Sequence, residues 1–177
     1  MMKKALNAAF YVVALFYAVL MLDLLFKIGI TSSGKGTSRS YNLIPFHTIR
    51  QYVSGDSGVA RARAVQNIGG NIAVFIPYGL YLQVLLKNKG FGKSLWIVAG
   101  TSIAVEVLQY AFGVGAADID DVLLNACGGA IGILGYKLLR TLFPEPDKAK
   151  AAVTLLSLAV GVPVLLIYAR AFLRMLL

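Results

Sequence analysis

The sequence predicts an all-α protein, a polytopic bundle of about five membrane-crossing helices. Three observations predict it. Of the 177 residues, 58% are hydrophobic and only 14% are charged, whereas a soluble domain sits near half apolar with about a quarter charged. The mean hydropathy is +0.74. The apolar residues also fall in runs of about 20, which at 1.5 Å rise per residue cross the hydrocarbon core. Such a chain is neither a water-soluble globule nor an intrinsically disordered one. Its length allows a single domain over residues 1–177. The single cysteine, Cys127, excludes an intramolecular disulfide.

The first helix is expected over residues 5–26, after Met1-Met2-Lys3-Lys4. It is too long for a signal peptide and lacks a small-x-small cleavage site, so it is read as retained. Residues 31–38, small, polar and glycine-bearing, form a flexible outer loop. In residues 41–53, Pro45 suits the first turn of a helix. Phe46, Ile49 and Val53 then share one face and His47, Arg50 and Gln51 lie to the other side. The pattern fits a short amphipathic helix in the membrane interface, or a loop collapsed over the outer helix ends. The second span is expected over residues 67–86, with Pro77 removing one amide and loosening the helix. The third covers 94–112 and the fourth 120–139. Residues 143–147 form a stiff turn because two prolines restrict their predecessors, and the last span covers 151–173.

Orientation follows from the basic residues of the short connections. Lys3 and Lys4 precede the first span, Lys87, Lys89 and Lys93 the third, and Lys137, Arg140, Lys148 and Lys150 border the fourth and fifth. Residues 113–118 carry no basic residue. The N-terminus and the even-numbered loops are therefore expected inside, with the first and third loops outside. Lys27, Lys35, Arg39, Arg50, Arg61 and Arg63 in the first loop run against this, but long loops weigh less than short ones.

Polar groups inside a bilayer are costly and face a partner, a cavity or a substrate. Here they share one depth. Asn67 and Asn71 are four apart, Glu106 and Gln109 three apart, and Asp121 and Asn125 four apart with Asp118 a turn earlier, so each set shares a helix face. Asp23 lies near the outer end of the first span. Asn71, Glu106 and Asp121 are expected roughly 5–10 Å deep in the outer half, and the inner halves are expected to be almost wholly apolar. Asn and Gln can simply bond helices together. An ionised Glu106 needs a cation, a proton or water. It is expected to pair with Arg50, Arg61 or Arg63, to bond Gln109 or Asn71 as a neutral acid, or to belong to a head-group site. Asp120 is expected to cap the fourth helix. Gly128, Gly129, Gly132 and Gly135 are expected at close helix contacts, and Cys127 between them as inert packing.

His47 has no second histidine and no cysteine pair beside it, so no metal site is expected, and no cofactor either. The sequence has no Gly-x-Ser-x-Gly, no His-Glu-x-x-His and no phosphate loop. The net charge of +9 comes from loop residues that set topology and meet anionic lipid, so nucleic acid is not an expected partner.

Four pieces in order resemble the VanZ-like family. They are Asn42-Leu43-Ile44-Pro45-Phe46, then Asn67-x-x-x-Asn71-x-x-x-Phe75-x-Pro77-x-Gly79, then Glu106-x-x-Gln109, then Asp118-Ile119-Asp120-Asp121-Val122-Leu123-Leu124-Asn125-x-x-Gly128-Gly129. The resemblance covers residues 42–132. One departure precedes the acidic run, where similar proteins often carry an arginine or another polar residue and this chain has Gly115-Ala116-Ala117. The family is named for a membrane protein associated with low-level resistance to teicoplanin, a glycopeptide with a fatty tail. The resemblance implies a bacterial plasma (inner) membrane protein, to which the basic residues add a cytoplasmic N-terminus and the polar layer an outer-leaflet pocket suited to an amphiphile. Candidate partners are a membrane lipid, a lipid-linked cell-wall precursor or a lipoglycopeptide.

Asn67, Asn71, Glu106, Gln109, Asp118, Asp121 and Asn125 would line the site, with His47 and Arg50 meeting a head-group phosphate or carboxylate. An alternative is an intramembrane enzyme acting on a lipid-linked substrate, with Glu106 or Asp121 as the acid–base group. A proton-coupled transporter would need polar groups in the inner halves as well. The glycine-rich fourth helix can pack within the bundle or between protomers, so the oligomeric state stays open.

Overall fold

The computed structural model describes residues 2–26, 40–54, 58–87 and 90–176. The expected flexible tract 31–38, together with Lys27, Lys35, Arg39 and Lys89, lies outside the described residues, as do the side chains of Arg61 and Arg63. Among the described residues the elements run α1 (Met2–Phe26), β1 (Tyr41–Asn42), α2 (His47–Val53), α3 (Gly58–Leu85), α4 (Phe91–Phe112), β2 (Ala117–Asp118), α5 (Ile119–Leu142) and α6 (Pro146–Leu176). All but α2 are long and apolar enough among the helices to cross a membrane, five in total among the described residues. The protein is all-α and multi-pass.

The largest departure from the expected boundaries is α3, which begins at Gly58 rather than at 67. Its early turns alternate alanine with arginine and then glutamine, good helix formers that are too polar to register as a span. Its apolar window starts only at Ala64. Proline begins α6, where its missing amide has no helical acceptor to lose.

The chain forms two compact units, Met1–Lys35 with Tyr136–Leu177, and Gly36–Gly135. In the first, α1 packs along α6. Lys150 donates to Asn7 Oδ1 at 2.7 Å and lies 4.4 Å from the centre of the Phe10 ring, and Lys3 pairs with Asp147 at 2.7 Å. Both members of that ion pair are exposed, so it adds little stability.

The second unit holds α3, α4 and most of α5, drawn together by glycine. A Cβ on Gly128 would run into the Ile72 carbonyl, one on Gly132 into the Ile76 carbonyl, and one on Gly129 into the Val98 side chain. Gly79 on α3 answers in kind against the Gly129 carbonyl. Gly135 differs from the expectation, since a Cβ there meets only Leu80 Cδ2 at 3.8 Å, an ordinary contact. Cys127 differs too. Gly128 and Gly129 take the inward positions and leave Cys127 exposed rather than packed.

Phe75, Val98 and Ile133 are fully buried and form an apolar middle. Beyond them the inner halves, expected to be almost wholly apolar, hold two polar contacts between helices. Tyr78 Oη lies 2.8 Å from Thr101 Oγ1, and Gln83, fully buried, donates to Ser94 Oγ at 2.7 Å. Tyrosine, serine and threonine weigh little in a hydropathy window, yet their hydroxyls can join helices at such sites.

Candidate functional site

Four acids gather where α4 ends and α5 begins. On α4, Ser94, Val98, Ser102, Val105 and Glu106 make the buried stripe, and Glu106 is its last polar residue before the helix closes at Gly113 in the left-handed conformation. The chain then turns into β2, which pairs in parallel with β1, Tyr41 opposite Ala117 and Asn42 opposite Asp118. This pairing carries the α2 segment onto the start of α5. Asp118 N donates to Glu106 Oε2 at 3.0 Å. The Asp118 carboxylate accepts from Asn42 Nδ2 at 3.2 Å, from the Thr48 hydroxyl, and from Asp120 N at 2.9 Å.

Asp120 corrects an expectation. It does not simply cap its own helix. Fully buried, it reaches across and accepts from the backbone amides of Phe46 and Ile49, which are first-turn donors of α2 that no carbonyl of that helix can take up. Phe46 adopts φ 63°, a left-handed conformation that costs a non-glycine residue about 1–2 kcal/mol. The bond from its amide to Asp120 holds it there.

The second half of the cluster lies between α3 and α5. Asn71 Nδ2 donates to Asp121 Oδ1 at 2.6 Å, and Asn67, one turn earlier, lies beside the same carboxylate. One turn further along α5, Asn125 is buried and donates to Ser102 Oγ at 2.9 Å. Ser102 stands one turn before Glu106 on α4, so the Asn125–Ser102 contact forms a floor beneath the acids. Asn67, Asn71 and Asp121 are half-buried, while Glu106, Asp118, Asp120 and Asn125 are buried. Two buried oxygens on this site, Asn67 Oδ1 and Asn125 Oδ1, have no partner in the protein.

The structure thus joins Glu106 to Asp118, and Asn67 and Asn71 to Asp121, with Asn125 a turn below. Glu106 meets the Asp118 amide, and the expected pairing with Arg61 or Arg63 falls on side chains outside the described residues. Gln109 is half-buried one turn on, beside Gly115, its carbonyl accepting from Val114 N at 3.0 Å. His47 and Arg50 are exposed, and His47 Nε2 lies 3.3 Å from Gln51 Nε2 on the same helix. Helix α2 meets the acids through the amides of Phe46 and Ile49 and the hydroxyl of Thr48 instead. The ion pairs Lys3–Asp147 and Lys148–Glu145 lie elsewhere, and no described cation is seen paired with the four acids. No group of three metal-ligating side chains occurs among the described residues either.

Sequence reasoning missed Asn42, Thr48 and Ser102 as members of the cluster. Asn42 stood at the head of a motif, so its position was a signal. Thr48 had none, because its partner is 70 residues away.

The chain is 33% identical over 127 residues to the protein named Protein VanZ from Enterococcus faecium, covering 71% of each chain. No solved structure gave a significant match. The family model described as VanZ/LLP1 matches residues 8–140. That stretch takes in most of α1 as well as every residue of the acid cluster, and by it the chain belongs to the VanZ/LLP1 family.

Proposed function

We propose that this protein binds an amphiphile, a polar head carried on a fatty tail, in the outer leaflet of the bacterial plasma membrane, and that this lowers susceptibility to teicoplanin. The observation that carries the reading is the one-sided polar cluster. Asp121, Asn67 and Asn71 are half-exposed at one end of the membrane-crossing helices α3 and α5, and Phe75, Val98 and Ile133 close the interior behind them. A head group can enter such a site from one side only. The apolar middle also disfavours a route through the unit, so the Tyr78–Thr101 and Gln83–Ser94 contacts act as helix-joining bonds.

A hollow of about 320 Å³ lined by Phe91, Leu95, Trp96, Ala99 and Ala126 lies on α4 and α5. Its apolar lining suits a lipid chain, but Phe91 stands at the Lys93 end of α4, away from the acids, so the hollow is separate from the head-group site. The exposed Arg50 and His47 remain available for a phosphate or carboxylate outside the pocket. The basic residues Lys3, Lys4, Lys87 and Lys93 support a cytoplasmic N-terminus, which puts the acid cluster on the outer side. The resemblance to a family named for teicoplanin resistance, and a relative that bears the name Protein VanZ, support the link to that drug.

The test compares teicoplanin and vancomycin susceptibility in a sensitive Gram-positive host expressing wild type, Glu106→Gln, Asp121→Asn or empty vector, with membrane levels checked by blot. Wild type raises the teicoplanin tolerance alone, and both variants lose the effect while accumulating normally. Well-expressed variants that protect as wild type does would sink the reading.

A further inference from the structure

Among the described residues, the buried side-chain atoms of this site left without a partner are both hydrogen-bond acceptors. Asn67 lies beside the Asp121 carboxylate, which favours the amide nitrogen over the carbonyl oxygen of that carboxamide. Asn67 Oδ1 is buried and without a partner. Asn125, 1% exposed, gives its amide to Ser102 and its own carbonyl oxygen is also unpartnered. The two orphaned oxygens belong to α3 and to the turn of α5 that follows Asp121. Glu106 adds a second carboxylate in the same layer, and no described cation pairs with either acid.

A buried acceptor left without a donor costs about 1–3 kcal/mol, and more when it is charged. These atoms therefore call for a ligand that donates and is positive. A phosphate or carboxylate would be repelled here. A sugar hydroxyl donates one hydrogen bond and brings no charge, whereas a primary ammonium brings three donors, one positive charge and no acceptor.

Building on the amphiphile reading, we infer that the head group held between Asn67, Asp121 and Asn125 presents a primary ammonium, either from an aminoethyl phospholipid head or from a free amine. The three N–H groups reach the Asp121 carboxylate and the two orphaned carbonyl oxygens, and a methylated ammonium, lacking those hydrogens, does not satisfy them.

The full-length protein in detergent is titrated with short-chain phosphatidylethanolamine and with phosphatidylcholine of the same chains, and free ethanolamine is added as competitor. The ethanolamine lipid binds at least about tenfold tighter, the gain expected from one charge-assisted hydrogen bond set. Asp121→Asn and Asn67→Ala, each shown to keep wild-type helicity and a monodisperse elution profile, reduce that preference. Should Asp121→Asn fail to fold, Asn67→Ala alone carries the comparison, since it removes one orphaned acceptor and leaves the Asn71–Asp121 bond. Competition by free ethanolamine assigns recognition to the amine itself, and its failure to compete assigns it to the lipid head as a whole. Equal, Asp121-dependent binding of both lipids overturns the ammonium assignment and leaves the amphiphile reading standing. Binding of neither lipid, or binding that ignores Asp121 and Asn67, overturns both.

Discussion

The carboxylate of Glu106 accepts a hydrogen bond from the backbone amide of Asp118 at 3.0 Å, deep inside the second unit. A buried acid in a membrane-crossing helix is thereby tied to the loop that leads into the next one. The same residue that the functional reading depends on also fixes the entry to α5. These two roles call for different substitutions to separate them.

Glu106→Gln keeps an acceptor oxygen for the Asp118 amide and is expected to fold. Glu106→Leu leaves that amide buried and unpaired, at a cost of about 1–3 kcal/mol. Thermal unfolding in detergent should therefore show the leucine variant clearly less stable and the glutamine variant near wild type. If both unfold alike, the Asp118 bond is not what Glu106 contributes to the fold.

The bonds from Asp120 to the Phe46 and Ile49 amides, and from Thr48 to Asp118, strap α2 to the start of α5. Hydrogen bonds to charged acceptors contribute about 1.5–3 kcal/mol each. Asp120→Asn, which replaces one acceptor oxygen with a donor, should speed amide hydrogen exchange at residues 46–50 by about ten- to a hundredfold. Exchange in α4 should stay as it is. Unchanged protection of α2 in this variant would show that the strap rests on something else.

Gly132 and Gly135 lie on one helix but differ in what a methyl group would meet. The first would strike the Ile76 carbonyl, a backbone atom that cannot move aside, and the second would find a flexible leucine at ordinary distance. Overpacking of a tight contact costs about 1–3 kcal/mol. Gly132→Ala should lower both membrane yield and melting temperature, while Gly135→Ala should leave both intact. Equal tolerance of the two would mean that α3 and α5 are not pressed together along this line.

Orientation is open to cysteine labelling, because the single native thiol can be removed. In a Cys127→Ser background, Ser54→Cys should react with an impermeant maleimide on whole cells. Lys148→Cys should react only after permeabilisation. The reverse pattern would place the acid cluster on the cytoplasmic side and remove the outer-leaflet site.

The sequence by itself determined the class, the spans and the residues worth attention. Hydropathy and length suffice for that, since a helix must bring about 20 apolar residues to cross a bilayer whatever its neighbours are. Spacing of three and four groups residues such as Asn67 and Asn71 on one face, because one helix sets that face alone, whereas Asp121 meets α3 and Asn125 meets α4. Tertiary structure decided who meets whom. Asp120 looked like the cap of its own helix and instead holds α2, a helix 70-odd residues earlier whose free amides no local rule could assign to it. Thr48, Asn42 and Ser102 joined the acids only because the Asn42–Asp118 pairing and the glycine contacts of α5 brought distant segments together. Arg50 and His47, plausible partners by proximity to the motif, stayed outside because helix geometry turned them to the exposed side of α2. Local periodicity fixes a face, but a hydrogen bond between elements depends on packing that no single segment encodes.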